Sequence, residues 1–206
     1  MARIVWYSFH FPDLFRFVSL QIVTSVRPMA AGQFNPKTQF DQRSNLIDLQ
    51  PGATPRTKKR NAIIPAVRPM RAVLKAWSDD HVSYVGSRKK AWATMRRTLD
   101  LSDDVHPKTI RYTIATWLYE MDWVPERQIS EMLGHLSQND LAKTSRIYAQ
   151  YRPERMGKVV KGLELIWLRI SRQARAYSAL HLLSRGQWHQ QYKVIERSNK
   201  PDSSEV

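Results

Sequence analysis

An arginine, a histidine and a tyrosine lie on three consecutive helical segments of the stretch Ile110–Tyr151. They are Arg111, His135 and Tyr148. A tyrosine attacks a phosphodiester as its phenolate, and because its ordinary pKa is about 10, neighbouring cations must favour the ionised form. Guanidinium groups suit the transition state because they bind two oxygens at once and keep their charge. This order therefore indicates a tyrosine nucleophile directed at a phosphate that cationic side chains hold in place.

The charge of the chain predicts a polyanionic partner. Thirty-three Lys and Arg against eighteen Asp and Glu give a formal net charge of +15 in 206 residues. Such an excess favours nucleic acid because each neutralised phosphate releases counterions, although a merely basic or ribosomal-type protein has a similar composition. The absence of cysteine excludes disulfides and thiol chemistry. The longest uncharged apolar run, Phe17–Val26, is too short to span a bilayer, so we expect a cytoplasmic protein with no membrane partner.

Apolar spacing and proline positions place the first helix and a small sheet. Pro12 suits the first position of an apolar helix that ends before Pro28, and the polar stretch Ala31–Asn45 is expected to be a loop. LIDL (46–49) and AIIPA (62–66) are predicted to be short strands. The segment between them would form a hairpin tip with four cations: Arg56, Lys58, Lys59 and Arg60.

Helical spacing of apolar residues returns after the sheet, first around Leu74 and then around Met95. Further helices are predicted to begin at Pro107 and at Pro125, the latter ended by Gly134 in a left-handed conformation. The helix around Met95 also displays a cluster of cations: Arg88, Lys89, Lys90, Arg96 and Arg97.

The longest helix is predicted after Pro153, and it carries a heptad-like apolar stripe. This stripe can pack on the core of its own chain or dock on a neighbouring protomer. From Ser184 onward the chain turns polar, and its end is predicted to be disordered. The residues of the stripe are Met156, Val160, Leu163, Trp167, Ile170, Ala174 and Tyr177.

Five segments, in this order and at these separations, resemble the catalytic domain of tyrosine recombinases, the phage-integrase family: TSVRP, TKKRNAIIP, KTIRYTIATWL, EMLGH and SRIYAQYRPE. The resemblance covers roughly Phe11–Arg155 and is strongest over Lys108–Tyr151. It implies an α+β, mainly α-helical fold with a small antiparallel β-sheet or hairpin and a long C-terminal helix. Residues 1–160 would be the catalytic domain, lacking the family's N-terminal core-binding domain, and residues 161–206 would be the C-terminal amphipathic helix and its disordered tail.

The resemblance also assigns roles to residues at the matching positions. Arg27 and Arg111 would grip the scissile phosphate, and His135 would hydrogen-bond to it. Tyr148 would be the nucleophile, forming a 3′-phosphotyrosyl link to DNA and freeing a 5′-hydroxyl. The 5′-hydroxyl of the partner strand would then reverse the step, so that neither metal nor nucleotide cofactor is implied.

Lysines complete this implied catalytic set. Lys58, with Lys59 as the neighbouring candidate, would assist the leaving oxygen, and Lys108 occupies the place where the family usually has a histidine. The remaining cations would contact double-stranded DNA, and the C-terminal helix would join copies of the chain into a homo-oligomer on it. The DNA-binding set is Arg56, Lys59, Arg60, Arg88, Lys89, Lys90, Arg96 and Arg97.

Each site residue also has a simpler interpretation. Lys58 and Lys59 would be plain phosphate contacts of a basic hairpin, and Tyr148 a packing residue on an amphipathic segment. Arg27 is placed like a solvated charge at a helix end, and His135 like a helix cap. Arg111 beside an apolar face would extend to solvent or pair with Glu120 or Asp122.

By resemblance, the function is site-specific DNA strand cleavage and rejoining in a bacterial or phage cytoplasm, at the nucleoid. Three departures from the family pattern favour an alternative, a truncated and inactive integrase remnant that binds DNA without cleaving it. Lys108 replaces the histidine, Ala30 replaces an acidic residue, and the spacing between His135 and Tyr148 is longer than usual. A third hypothesis, an enzyme like type IB topoisomerases, shares the tyrosine chemistry but would relax supercoils without a specific site.

Overall fold

The computed structural model describes residues 1–49, 62–79, 85–135 and 153–183. Helices dominate these ranges, and three short strands form an antiparallel sheet in the order β1-β2-β3. This confirms the predicted α+β, mainly helical class. The elements are α1 (Ala2–Ser8), α2 (Pro12–Thr24), α3 (Pro28–Gln33), α4 (Pro36–Gln39), β1 (Phe40–Asp41), β2 (Leu46–Asp48), β3 (Ile63–Pro65), α5 (Arg68–Asp79), α6 (Lys89–Thr98), α7 (Pro107–Tyr119), α8 (Glu126–Met132), a 3₁₀ turn (Pro153–Met156) and α9 (Gly157–Leu183).

Helix α2 forms as predicted and lies in the core. Pro12 occupies its first position, where the fixed φ of proline is already helical. The helix ends at Ser25, which adopts a left-handed conformation with φ of 52° and donates its N–H to the carbonyl of Gln21 at 2.8 Å. This turn directs the chain into Arg27. Apolar residues on several sides of the helix are buried, as expected of a helix inside a core: Leu14, Phe17, Val18, Leu20 and Ile22.

The two predicted strands are also confirmed. Strand β2 pairs with β3 in antiparallel register, so that Ile47 lies opposite Ile64, and β1 adds Phe40 opposite Ile47. All three side chains are buried. The sheet therefore presents one apolar face to the core. The predicted basic hairpin tip, within residues 50–61, lies outside the described residues.

The expectation of a loop over Ala31–Asn45 is wrong. Helix α3 continues to Gln33, and α4 and β1 follow within the same stretch. Each of the two helices begins with a proline, and the Asn35 side chain caps α4 by accepting the N–H of Lys37 at 3.0 Å. Helices of six and four residues are too short to show a periodic apolar stripe, so apolar spacing in the sequence does not reveal them.

Helix α7 forms at the predicted proline and carries the central arginine of the candidate site. His106 is its N-cap, and its Nδ1 lies 2.7 Å from the hydroxyl of Thr109, which in turn contacts the His106 N–H. His106 is therefore engaged in capping the helix. The apolar face of α7 is buried through Ile110, Ile114 and Leu118.

Helix α9 packs on its own chain, against α1, α2, α7 and α8. The predicted stripe faces this core: five of its residues are buried and two, Val160 and Tyr177, are partly buried. The stripe is therefore used within the chain in this structure. The predicted boundary after residue 160 falls inside the helix. Among the described helices, none is both long and apolar enough to cross a membrane. The predicted disordered end from Ser184 onward lies outside the described residues.

A buried carboxylate joins α9 to α5. Glu164 is 8% exposed, and its Oε1 accepts the backbone N–H of Arg68, the first residue of α5, at 2.9 Å. The second residue of α5 is Pro69, which has no N–H to satisfy. Glu164 thus caps a helix from 96 positions away in the sequence.

Candidate functional site

Three of the predicted site residues come together at one place in the fold. Arg27 follows α2, Arg111 lies in the second turn of α7, and His135 follows α8. The charges of Arg27 and Arg111 both act on His135, and the charge of Arg27 acts on Arg111. Three separate stretches of chain therefore supply one cationic cluster, hereafter the Arg27–Arg111–His135 cluster.

Arg111 is the most buried member of the cluster, with 7% exposure. Its Nη1 donates to the carbonyl of Ser25 at 2.5 Å, and its Nη2 donates to the carbonyl of Leu133 at 2.6 Å. Ser25 and Leu133 are the residues that end α2 and α8. The C-terminus of a helix carries partial negative charge, so both helices stabilise the buried guanidinium. Neither simpler interpretation of Arg111 applies, because it is neither extended to solvent nor paired with Glu120 or Asp122.

The pKa of Arg111 is lowered to about 10, first by burial and then by the neighbouring charge of Arg27. The group is still protonated at neutral pH. Within the described ranges, no carboxylate lies at ion-pair distance from it, since the four salt bridges found there involve other cations. A buried cation held only by main-chain carbonyls favours the approach of an anion.

His135 is fixed by the end of α8. Gly134 has a φ of 66°, its N–H bonds to the carbonyl of Glu131 at 3.0 Å, and the His135 N–H bonds to the carbonyl of Ser130 at 2.9 Å. This pair of hydrogen bonds is a Schellman motif, which closes a helix with a left-handed residue. The sequence prediction for Gly134 is confirmed, and the backbone of His135 does serve as a cap while its side chain lies at the surface.

The pKa of the His135 imidazole lies below its ordinary value because of partial burial, with added repulsion from Arg111 and Arg27. The ring is therefore mainly neutral at neutral pH. A neutral imidazole offers one N–H donor and one acceptor, which allows it to hydrogen-bond an oxyanion or to transfer a proton. An anion bound among the three groups would offset the repulsion between the two guanidiniums.

Arg27 lies where α2 gives way to α3. Its backbone is extended, with φ of −65° and ψ of 146°, and its carbonyl accepts the N–H of Ala31 at 3.0 Å. The residue is partly buried, so it is more enclosed than a solvated helix-end charge. The left-handed turn at Ser25 sets this position, and no sequence feature predicted that a serine would adopt it.

Lys108 lies one turn before Arg111 on α7, and it is exposed. Its Nζ lies over the ring of Tyr112, 5.3 Å from the centroid. Lys108 is not among the causes of the lowered pKa of Arg111 or His135. Its catalytic role stays a prediction.

The basic helix α6 is only partly neutralised. Arg88 pairs with Asp13 at 2.9 Å, and Arg96 pairs with Asp103 at 2.7 Å. The other three predicted DNA-binding residues of this helix are exposed: Lys89, Lys90 and Arg97. The remaining predicted site residues lie outside the described residues: Arg56, Lys58, Lys59, Arg60 and Tyr148.

The sequence did not predict the two carbonyls that hold Arg111. Main-chain groups carry no side-chain signature, and both contacts join positions far apart in the chain. The one available signal was an arginine on the apolar face of α7, next to Ile110 and one turn from Ile114. No known protein family, curated protein or solved structure matches this chain.

Proposed function

We propose that this protein is a DNA strand-transfer enzyme of the tyrosine-recombinase type. The observation that supports it most is the Arg27–Arg111–His135 cluster, because the resemblance assigns all three residues to one phosphate and the fold brings them within electrostatic reach of one another. Arg27 and Arg111 are distant in the sequence and lie on different elements. Their electrostatic coupling is therefore a property of the fold and not of a shared helix face.

The cluster suits a phosphodiester for physical reasons. The two guanidiniums repel each other, and a bound phosphate replaces that repulsion with attraction. The Arg111 guanidinium has five N–H bonds, of which two are used by carbonyls, so three remain for an anion. Because two carbonyls hold the Arg111 guanidinium in place before the substrate binds, it can stabilise the extra negative charge of the transition state without rearranging.

In the proposed reaction, the phenolate oxygen of Tyr148 attacks phosphorus and the bond to the 5′ oxygen breaks. A lysine, Lys58 or Lys59, gives a proton to the leaving oxygen, and the product is a 3′-phosphotyrosine with a free 5′-hydroxyl. Attack by the 5′-hydroxyl of a partner strand releases Tyr148 and restores the phosphodiester. Arg27, Arg111 and neutral His135 bind the non-bridging oxygens throughout.

An inactive DNA-binding remnant is the second candidate. The position of Lys108 favours it, because its ammonium lies over Tyr112 and does not act on the cluster. This alternative predicts salt-sensitive DNA binding without a covalent product. It needs the exposed cations of α6 but not Tyr148.

Covalent trapping separates the two functions. The protein is incubated with nicked duplexes tiled across the DNA that flanks its coding sequence, and adducts that survive denaturation are resolved on a gel. Tyr148→Phe should remove the adduct and leave DNA binding unchanged, whereas Tyr151→Phe, the matched control, should retain it. An adduct that persists in Tyr148→Phe refutes the nucleophile assignment, and binding without any wild-type adduct supports the remnant.

A further inference from the structure

Arg27 and His135 each lie just beyond a helix end. Ser25 ends α2 and Leu133 ends α8, and the cationic residue comes two positions later in each case. A left-handed residue makes each turn, Ser25 with φ of 52° and Gly134 with φ of 66°. One guanidinium, that of Arg111, donates to both terminal carbonyls. The two helix ends are thus joined by a single side chain.

This contact pattern needs a planar fork. The two nitrogens of the Arg111 guanidinium that donate lie at fixed separation, and each points at a carbonyl on a different helix. A lysine at this position would keep the charge but concentrate it at one nitrogen. It could not hold both carbonyls in the same geometry.

We infer that Arg111 is a positioning residue as well as a phosphate ligand: its bridge between the Ser25 and Leu133 carbonyls sets the separation of Arg27 and His135. The inference rests on the proposed function for the identity of the phosphate, but the bridge itself is a property of the fold. Without it, the end of α8 and the end of α2 are free to move apart. Arg27 and His135 then no longer act on one anion.

The test measures the His135 imidazole by NMR, with and without inorganic phosphate. In wild-type protein, phosphate should shift the ring resonances, and the His135 pKa should be low without it. In Arg111→Lys the charge remains and the bridge is lost, so the His135 pKa should return toward its ordinary value and phosphate should bind at least about tenfold more weakly. Arg172→Lys, an exposed exchange on α9, is the matched control and should change neither quantity.

A second variant covers the case in which Arg111→Lys fails to fold. Gly134→Ala leaves Arg111 intact but places a side chain at a φ of 66°, which strains the turn that presents His135. If the bridge positions His135, phosphate should no longer shift the His135 ring resonances in this variant. Circular dichroism should show that the variant is folded.

Three results would decide the matter. If Arg111→Lys keeps the low His135 pKa and wild-type phosphate affinity, Arg111 acts by charge alone and the inference is wrong. If phosphate never shifts His135 in wild-type protein, there is no shared anion site and the inference fails with it. If phosphate binding depends on the bridge but no DNA adduct forms, the inference stands and the proposed enzyme activity does not.

Discussion

Replacing Glu164 by alanine should destabilise the protein by about 2–4 kcal/mol. The carboxylate is buried, and its Oε1 accepts the first amide of α5 at 2.9 Å. A hydrogen bond to a charged group contributes about 1.5–3 kcal/mol, and a carboxylate at a helix N-terminus adds about 0.3–1 kcal/mol. For a chain of this size, each kcal/mol lowers Tm by about 2–4 °C, so the expected loss is about 4–16 °C.

Two further variants separate the cap from the nearby ion pair. Glu164→Gln keeps an oxygen acceptor but loses the charge, so it should lose about half as much stability. Lys161 is mostly exposed, and its Nζ lies 3.6 Å from the other carboxylate oxygen, so Lys161→Ala should cost less than about 0.5 kcal/mol. Thermal and urea unfolding followed by circular dichroism measure all three. A Glu164→Ala variant as stable as wild type, or a Lys161→Ala variant equally destabilised, would refute the capping argument.

Two other predictions concern the anion-binding surfaces. Sulfate bound at the Arg27–Arg111–His135 cluster should raise the His135 pKa, which is low in the free protein. Sulfate binding should therefore take up a proton. The affinity for sulfate should then rise as pH falls, by at most about tenfold per pH unit. Calorimetry between about pH 5 and 8 tests this, and His135→Gln should abolish the dependence; an affinity independent of pH in wild type would contradict it. On α6, removing an exposed cation should reduce the slope of log affinity for DNA against log salt by about 0.9, whereas Arg88→Ala and Arg96→Ala should change it less because both are ion-paired. Fluorescence anisotropy measures the slopes. Equal changes in slope at all five positions would contradict the argument that ion pairing weakens the contribution of Arg88 and Arg96 to DNA binding. The exposed cations are Lys89, Lys90 and Arg97.

Local signals predicted the local structure well. Pro12, Pro107 and Gly134 mark helix ends in the sequence because their backbone preferences act within a few residues, and the structure has helix ends at all three. Helices α3 and α4, which occupy part of the expected loop, were not predicted because a starting proline and a capping asparagine leave no periodic apolar pattern in the sequence.

Of the predicted site residues that the structure describes, Arg27, Arg111 and His135 lie together, and the way in which they are held was not predictable from the sequence. The order of motifs indicated which cations belong together. It gave no information on how Arg111 is held, because its partners are carbonyl oxygens that every residue possesses. The left-handed turn at Ser25 was equally hidden, since serine has no preference for that conformation. Such features are set by tertiary packing rather than by residue type.

The packing of α1 on α9 has a consequence for biosynthesis. Helix α1 is synthesised well before α9, the helix that it packs against most extensively. Until then Ile4, Val5 and Trp6, all buried in the folded protein, have no α9 to cover them. A nascent chain with such an exposed segment is a natural client for chaperones that bind emerging apolar sequences. Helix α1 can therefore reach its folded packing only after α9 has been synthesised.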